Sequence, residues 1–114
     1  MIIFKKYDEA TKTDTAWVQS SNIIYTRMVE NETDNTGNLF ITFKNGATYK
    51  YKDVTFEDYL VFIGGGVDMS QGKTFFKVIK PKYECEKMPE VESVEKIKEA
   101  LQEELKKQNQ KEDV

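Results

Sequence analysis

Histidine is absent from the 114 residues, and cysteine and tryptophan occur once each, as Cys85 and Trp17. Without an imidazole there is no His-dependent triad, no His-ligated metal and no imidazole acid–base scheme. A single thiol rules out an intramolecular disulfide and a cysteine-cluster zinc or iron–sulfur site. Long hydrophobic runs are also missing: nothing approaches the roughly 20 apolar residues that span a bilayer. Met1-Ile2-Ile3-Phe4 is apolar but meets Lys5-Lys6 at once, unlike a signal peptide. These absences predict a soluble, cytoplasmic protein that is not an enzyme, needs no cofactor or metal and makes no membrane contact.

What is present is unevenly distributed. The formal charge of −3 is an average over two regions. Residues 1–88 hold 12 basic and 12 acidic side chains, whereas residues 89–114 hold 5 and 8. The chain therefore divides into a neutral body, 1–88, and an acidic helical tail, 89–114. Within the body, residues 69–82 carry Lys73, Lys77, Lys80 and Lys82 with no acid.

Alternating apolar residues predict strands over 2–7, 15–19 and 22–29, and the polar stretch Glu30–Asn38 reads as a mobile loop. Leu39–Lys44, Asn45-Gly46 and Ala47–Lys52 read as a hairpin with a type I′ turn. Its alternation sets Tyr49 and Tyr51 out of phase with Thr48, Lys50 and Lys52. Thr55-Phe-Glu-Asp58 has the form of a capping box and opens a helix over 56–63, closed by Gly64-Gly65-Gly66. A second helix is expected from a Ser70 cap over about 71–80. There Lys73, Lys77 and Lys80 fall within about 60° of one another, with Phe75, Phe76, Val78 and Ile79 opposite. Lys82–Met88 reads as a last strand. Pro89 suits the first turn of a final helix whose stripe is Val91, Val94, Ile97, Leu101 and Leu105. The stripe drifts too much for a coiled coil, so it docks on a globular body, its own or a partner's. The last seven residues are expected to fray. The fold class is α+β: a small antiparallel sheet, two short helices between the central hairpin and the last strand, and a C-terminal amphipathic helix.

The order Ser20-Ser21-Asn22-Ile23, Leu39–Gly46, Tyr49-Lys50-Tyr51, Tyr59-Leu60 and Ser70-Gln71-Gly72-Lys73-Thr74-Phe75-Phe76 resembles the KTSC domain over roughly residues 18–88. That family is named for a C-terminal segment of some lysyl-tRNA synthetases and also occurs as a free-standing small protein. The resemblance implies a small α+β domain with no assigned catalysis and a nucleic-acid role. Its Tyr-x-Tyr corresponds to Tyr49 and Tyr51, and its Ser-x-Gly-Lys-x-Phe to Ser70, Gly72, Lys73 and Phe75.

Gly66 to Gly72-Lys73-Thr74 invites comparison with a phosphate loop, but five residues separate the glycines where that motif needs four. A capped helix start with Gly72 and Lys73 remains able to hold an anion, or is simply a cap. Tyr49 and Tyr51 are either stacking surfaces for a base or ordinary sheet packing. Arg27, the one arginine, forks onto phosphate better than lysine does, or is a surface charge. Trp17 reads as a core anchor and Cys85 as a small packing residue. The pairs Glu57/Asp58 and Glu84/Glu86, and Asp68, lack the divergent environments that acid–base catalysis requires.

The leading expectation is a non-catalytic protein binding a compact phosphate-bearing nucleotide through Arg27, Tyr49, Tyr51, Ser70, Gly72, Lys73 and Lys77. Sequestration of a cyclic or signalling nucleotide, in the manner of a viral anti-defence sponge, is one setting for such a protein. The alternatives are a module binding short RNA and an interaction module without a nucleotide. A homo-oligomer joined through the 89–107 helix is expected in the first and last of these.

Overall fold

Alternation along each strand gives every strand two chemically distinct sides, and antiparallel pairing brings like sides together. The computed structural model describes residues 1–32, 34–64 and 71–112; Gly65, Gly66, Asp68 and Ser70 lie outside them. Six strands form one antiparallel sheet in sequence order: β1 (Ile2–Asp8), β2 (Thr13–Val18), β3 (Ile23–Glu30), β4 (Thr36–Phe43), β5 (Thr48–Thr55) and β6 (Cys85–Lys87). Between β5 and β6 lie α1 (Phe56–Gly64) and α2 (Gln71–Thr74), and α2 runs on into a π-helical turn, Phe75–Ile79. The last element is α3 (Val94–Glu112). The α+β class and its element order are those expected.

On the first face of the sheet, Ala16, Met28, Leu39, Ile41, Tyr51 and Val54 pack against Tyr59, Phe62 and Ile63 of α1 and Phe75 and Ile79 of the π turn. Phe62, Ile79 and Ile41 are wholly buried, which makes this layer the main core. Thr74 donates its hydroxyl to the Phe62 carbonyl at 2.8 Å, tying α2 to α1. The second face is covered by α3, where Ile97, Leu101 and Leu105 pack on Trp17, with Phe4 and Tyr25 alongside. Trp17 is the expected anchor, and its indole N–H also donates to the Ile97 carbonyl at 3.0 Å.

Several local expectations are corrected. The connection after β3 is shorter than Glu30–Asn38, because the β3–β4 ladder continues through Glu30↔Gly37. Asn31 pins its base, donating to the Thr36 hydroxyl at 2.9 Å and to Asp53 at 3.2 Å. The hairpin turn is not type I′: Asn45 keeps a negative φ, and Gly46 alone is left-handed at +87°. This is a three-residue hairpin form, closed by the Gly46 N–H donating to the Phe43 carbonyl. Gly46 is doubly constrained, since a Cβ there would lie 2.6 Å from the Glu92 carbonyl oxygen. The last strand shortens to Cys85–Lys87. The final helix starts at Val94, not at Pro89, because Ser93 caps it by accepting the Lys96 N–H. It continues to Glu112, beyond the point where fraying was expected, and Val91 stays outside it and exposed.

The expected capping box is half made. Thr55 accepts the Asp58 N–H at 3.1 Å, but the Asp58 carboxylate turns away to accept from the Tyr83 hydroxyl and Lys82.

Candidate functional site

The β4–β5 register pairs Ile41 with Tyr49 and Leu39 with Tyr51, so both tyrosines face the first layer. The β5–β6 register then sets Lys87 beside Tyr49 and Cys85 beside Tyr51, on that same side. Helix α1 and the π turn pack on this face, at whose hairpin end lie Phe43, Lys44 and Asn45. There lies a cavity of about 600 Å³, well within the range of small-ligand sites. Its apolar walls are Phe43, Tyr49, Tyr51, Phe75 and Phe76, and its cations are Lys44, Lys80 and Lys87. Asn22 and Asn45 add carboxamides at its edge. No carboxylate belongs to the cavity among the described residues.

The walls differ in how far they are committed to packing. Tyr51 is buried, with Phe75 edge-on at 5.5 Å, and desolvation pushes its hydroxyl well above the ordinary tyrosine range. It is a neutral, fixed wall. Tyr49 is half-buried and edge-on to Phe43 at 5.7 Å. Phe75 is the hub, meeting Phe43, Tyr51 and Phe62. Phe76 departs from expectation: it is 53% exposed, and Lys80 sits 4.8 Å above its ring. The periodic reading assigned Phe76 to the buried side. The π turn, closed by the Lys80 N–H donating to the Phe75 carbonyl at 2.9 Å, breaks that periodicity and turns it outward.

Two smaller cavities lie at the other end of the strands and have the opposite character. One includes Asp14 and Glu30 with Lys5, and the other Glu30, Glu32 and Asp34. Asp14 is already held by Lys5 at 3.0 Å and by the Tyr59 hydroxyl. Lysines therefore predominate in the first cavity and carboxylates in the other two.

Of the expected binding residues that are described, the fold brings only Tyr49 and Tyr51 to this cavity. Arg27 is on the second face, because its ladder partners are Thr15 and Phe40, which alternate away from the core. Its guanidinium lies 5.0 Å over Phe40 and 3.7 Å from Glu92, with the sheet between it and the tyrosines. Gly72 is buried, Lys73 and Lys77 are exposed, and none of the three contributes to the cavity. The helix start expected to hold an anion is a four-residue turn, and its Ser70 cap lies outside the described residues. Cys85 is exposed on the cavity wall, not packed inside. Lys44, Lys80, Lys87 and Phe76 were not among the expected binding residues. Lys80 stood in the lysine stripe, and its i,i+4 spacing from Phe76 is the sequence signal for the pair.

Among the described residues, no group of three or more Cys, Asp or Glu side chains is placed to hold a metal, and no helix is long and apolar enough to cross a membrane.

These features define a one-sheet α+β protein with an aromatic, cationic cavity at one strand end. Residues 33–83, a little under half of the chain, match the KTSC domain family. The matched segment runs from the β3–β4 connection to Tyr83, so it contains Tyr49, Tyr51, Phe76 and Lys80. Asn22, Cys85 and Lys87, which complete the cavity, come from outside it, as does α3. No curated protein matches the chain.

Proposed function

We propose that the protein is a non-catalytic binder of a compact, phosphate-bearing nucleotide, held in the cavity formed by Tyr49, Phe76, Lys44, Lys80 and Lys87. The observation that carries this reading is the coincidence of aromatic surface with three lysines and no described carboxylate in one nucleotide-sized space. Ring surfaces suit a base, ammonium groups suit phosphate, and an acid-free lining leaves that positive potential undiminished. The same composition speaks against turnover: no His exists in the chain, and no described carboxylate is at hand to move a proton. Holding a ligand without converting it is sequestration, and a cyclic or signalling nucleotide is a suitable cargo. A short RNA is the second candidate, but a body with balanced charge gives little of the extended basic field that a polyanion requires. A homo-oligomer through the C-terminal helix draws no support from α3, whose buried Ile97 and Leu101 cover this chain's own Trp17.

Calorimetry with AMP, ADP, GDP, cyclic di-AMP and a ten-nucleotide single-stranded RNA tests the reading. One of the small nucleotides is expected to bind one-to-one. Lys80→Ala or Lys87→Ala should weaken it about tenfold, the scale of a charge-assisted hydrogen bond. Arg27→Ala, on the other face, should leave affinity unchanged. Binding to the RNA alone with a steep salt slope, or a dependence on Arg27 and not on Lys80, would overturn it.

A further inference from the structure

Phe76 is a large apolar ring left 53% exposed beside a cavity whose other aromatic residues interlock. Its one aromatic neighbour is Phe75, edge-on at 5.3 Å. Its exposure follows from a π turn, a rare geometry found disproportionately at functional positions. The same turn brings Lys80, four residues on, to 4.8 Å above the ring, and both residues belong to the cavity. An exposed ammonium resting on a ring is held by a charge–quadrupole attraction, which is weaker than its attraction to a phosphate. The ring beneath it becomes available when the ammonium moves.

Resting on the nucleotide reading above, we infer that Phe76 and Lys80 form a two-part clamp: Phe76 stacks on the base and Lys80 transfers from the ring to a phosphate. Tyr51 cannot take the stacking role, because it is buried with Phe75 against its ring. The clamp makes the preferred ligand class one that carries a planar ring and a phosphate together. A nucleoside without phosphate leaves Lys80 on the ring, and a bare phosphate leaves Phe76 uncovered. Either half alone therefore binds more weakly than the two joined.

The test compares the tightest-binding of AMP, ADP, GDP and cyclic di-AMP with adenosine and with pyrophosphate, by calorimetry on the full chain. Phe76→Ala is expected to weaken the nucleotide about tenfold, the scale of one base–aromatic stack. It should leave pyrophosphate unchanged, and Phe76→Tyr should restore nucleotide affinity. Lys80→Ala is expected to weaken nucleotide and pyrophosphate alike. Because Phe76 is largely exposed, its alanine variant should melt near the wild type, which excludes unfolding as the cause. If Phe76→Ala leaves the nucleotide affinity intact while Lys80→Ala lowers it, the clamp is wrong and the nucleotide reading stands. Failure of wild-type protein to bind any of the four nucleotides overturns both. Equal loss of nucleotide and pyrophosphate in Phe76→Ala also overturns the clamp, since stacking cannot act on pyrophosphate.

Discussion

The two faces of the sheet are covered in different ways. The first lies under α1 and the π turn, whose Phe62, Ile63, Phe75 and Ile79 interdigitate with residues from β2 to β5. The second lies under α3, held by Ile97 and Leu101 on Trp17, one indole hydrogen bond, and the Lys6–Glu104 pair at 2.7 Å. The first cover interlocks broadly with the sheet, and the cavity lies at the edge of that packing. The second cover follows a narrow stripe, Ile97, Leu101 and Leu105, on an otherwise polar helix. The firmly packed face is the one that carries the aromatic, lysine-lined cavity.

Truncating the two central anchors sharpens this contrast. Phe62 is wholly buried and meets both Tyr59 and Phe75, so Phe62→Ala opens a cavity in the main core. The expected loss is about 3–5 kcal/mol, read by denaturant unfolding, together with loss of ligand binding because Phe75 is no longer positioned. Trp17→Ala should cost about 3 kcal/mol, the low end for such a truncation, because the cluster it anchors is small. Its signature is selective: α3 should become sensitive to proteolysis while nucleotide affinity in the surviving folded protein stays unchanged. Equal loss of binding in both variants would show that the faces are not independent. Trp17→Phe removes the bond to the Ile97 carbonyl and some ring area, and should cost about 1 kcal/mol for the hydrogen bond.

The degree to which this architecture was legible in sequence follows the same division. The strands, the hairpin and α1 were readable because alternation, Asn45-Gly46 and the Thr55 cap are local signals. That Arg27 lies on the other face from the tyrosines was not legible, because a strand residue's side becomes clear only through its ladder: Arg27 pairs with Phe40, which is out of phase with Leu39 and Ile41. Phe76 was misplaced because a helical projection assumes 100° per residue, and a π turn violates that assumption. Lys87 reached the site through the β5–β6 register, a pairing between residues nearly 40 apart that no local pattern announces. The tyrosine pair was correctly placed on one side, yet only the fold separates Tyr51, packed against Phe75, from the half-buried Tyr49.

Acid provides the gentlest probe of the two covers, since each carries a carboxylate held in its charged form by neighbouring donors. Asp58, at the start of α1, is held below its ordinary value of 3.8 first by the Tyr83 hydroxyl and then by Lys82. Glu104, on α3, is held below its ordinary 4.5 chiefly by the Lys6 ammonium. A carboxylate whose pKa is lower in the folded chain stabilises the fold above its unfolded pKa, and that contribution fades as pH falls through the folded value. Melting temperature should therefore decline below about pH 4.5, with both carboxylates contributing. Asp58→Asn and Glu104→Gln should each melt lower than wild type at neutral pH and show a shallower acid slope. The Asp58 variant should flatten more, because its carboxylate accepts from Tyr83 as well as Lys82, whereas Glu104 faces only exposed lysines. If Glu104→Gln flattens the slope further than Asp58→Asn, the α3 carboxylate is the more strongly held of the two and the assignment of the firmer cover to the first face is reversed.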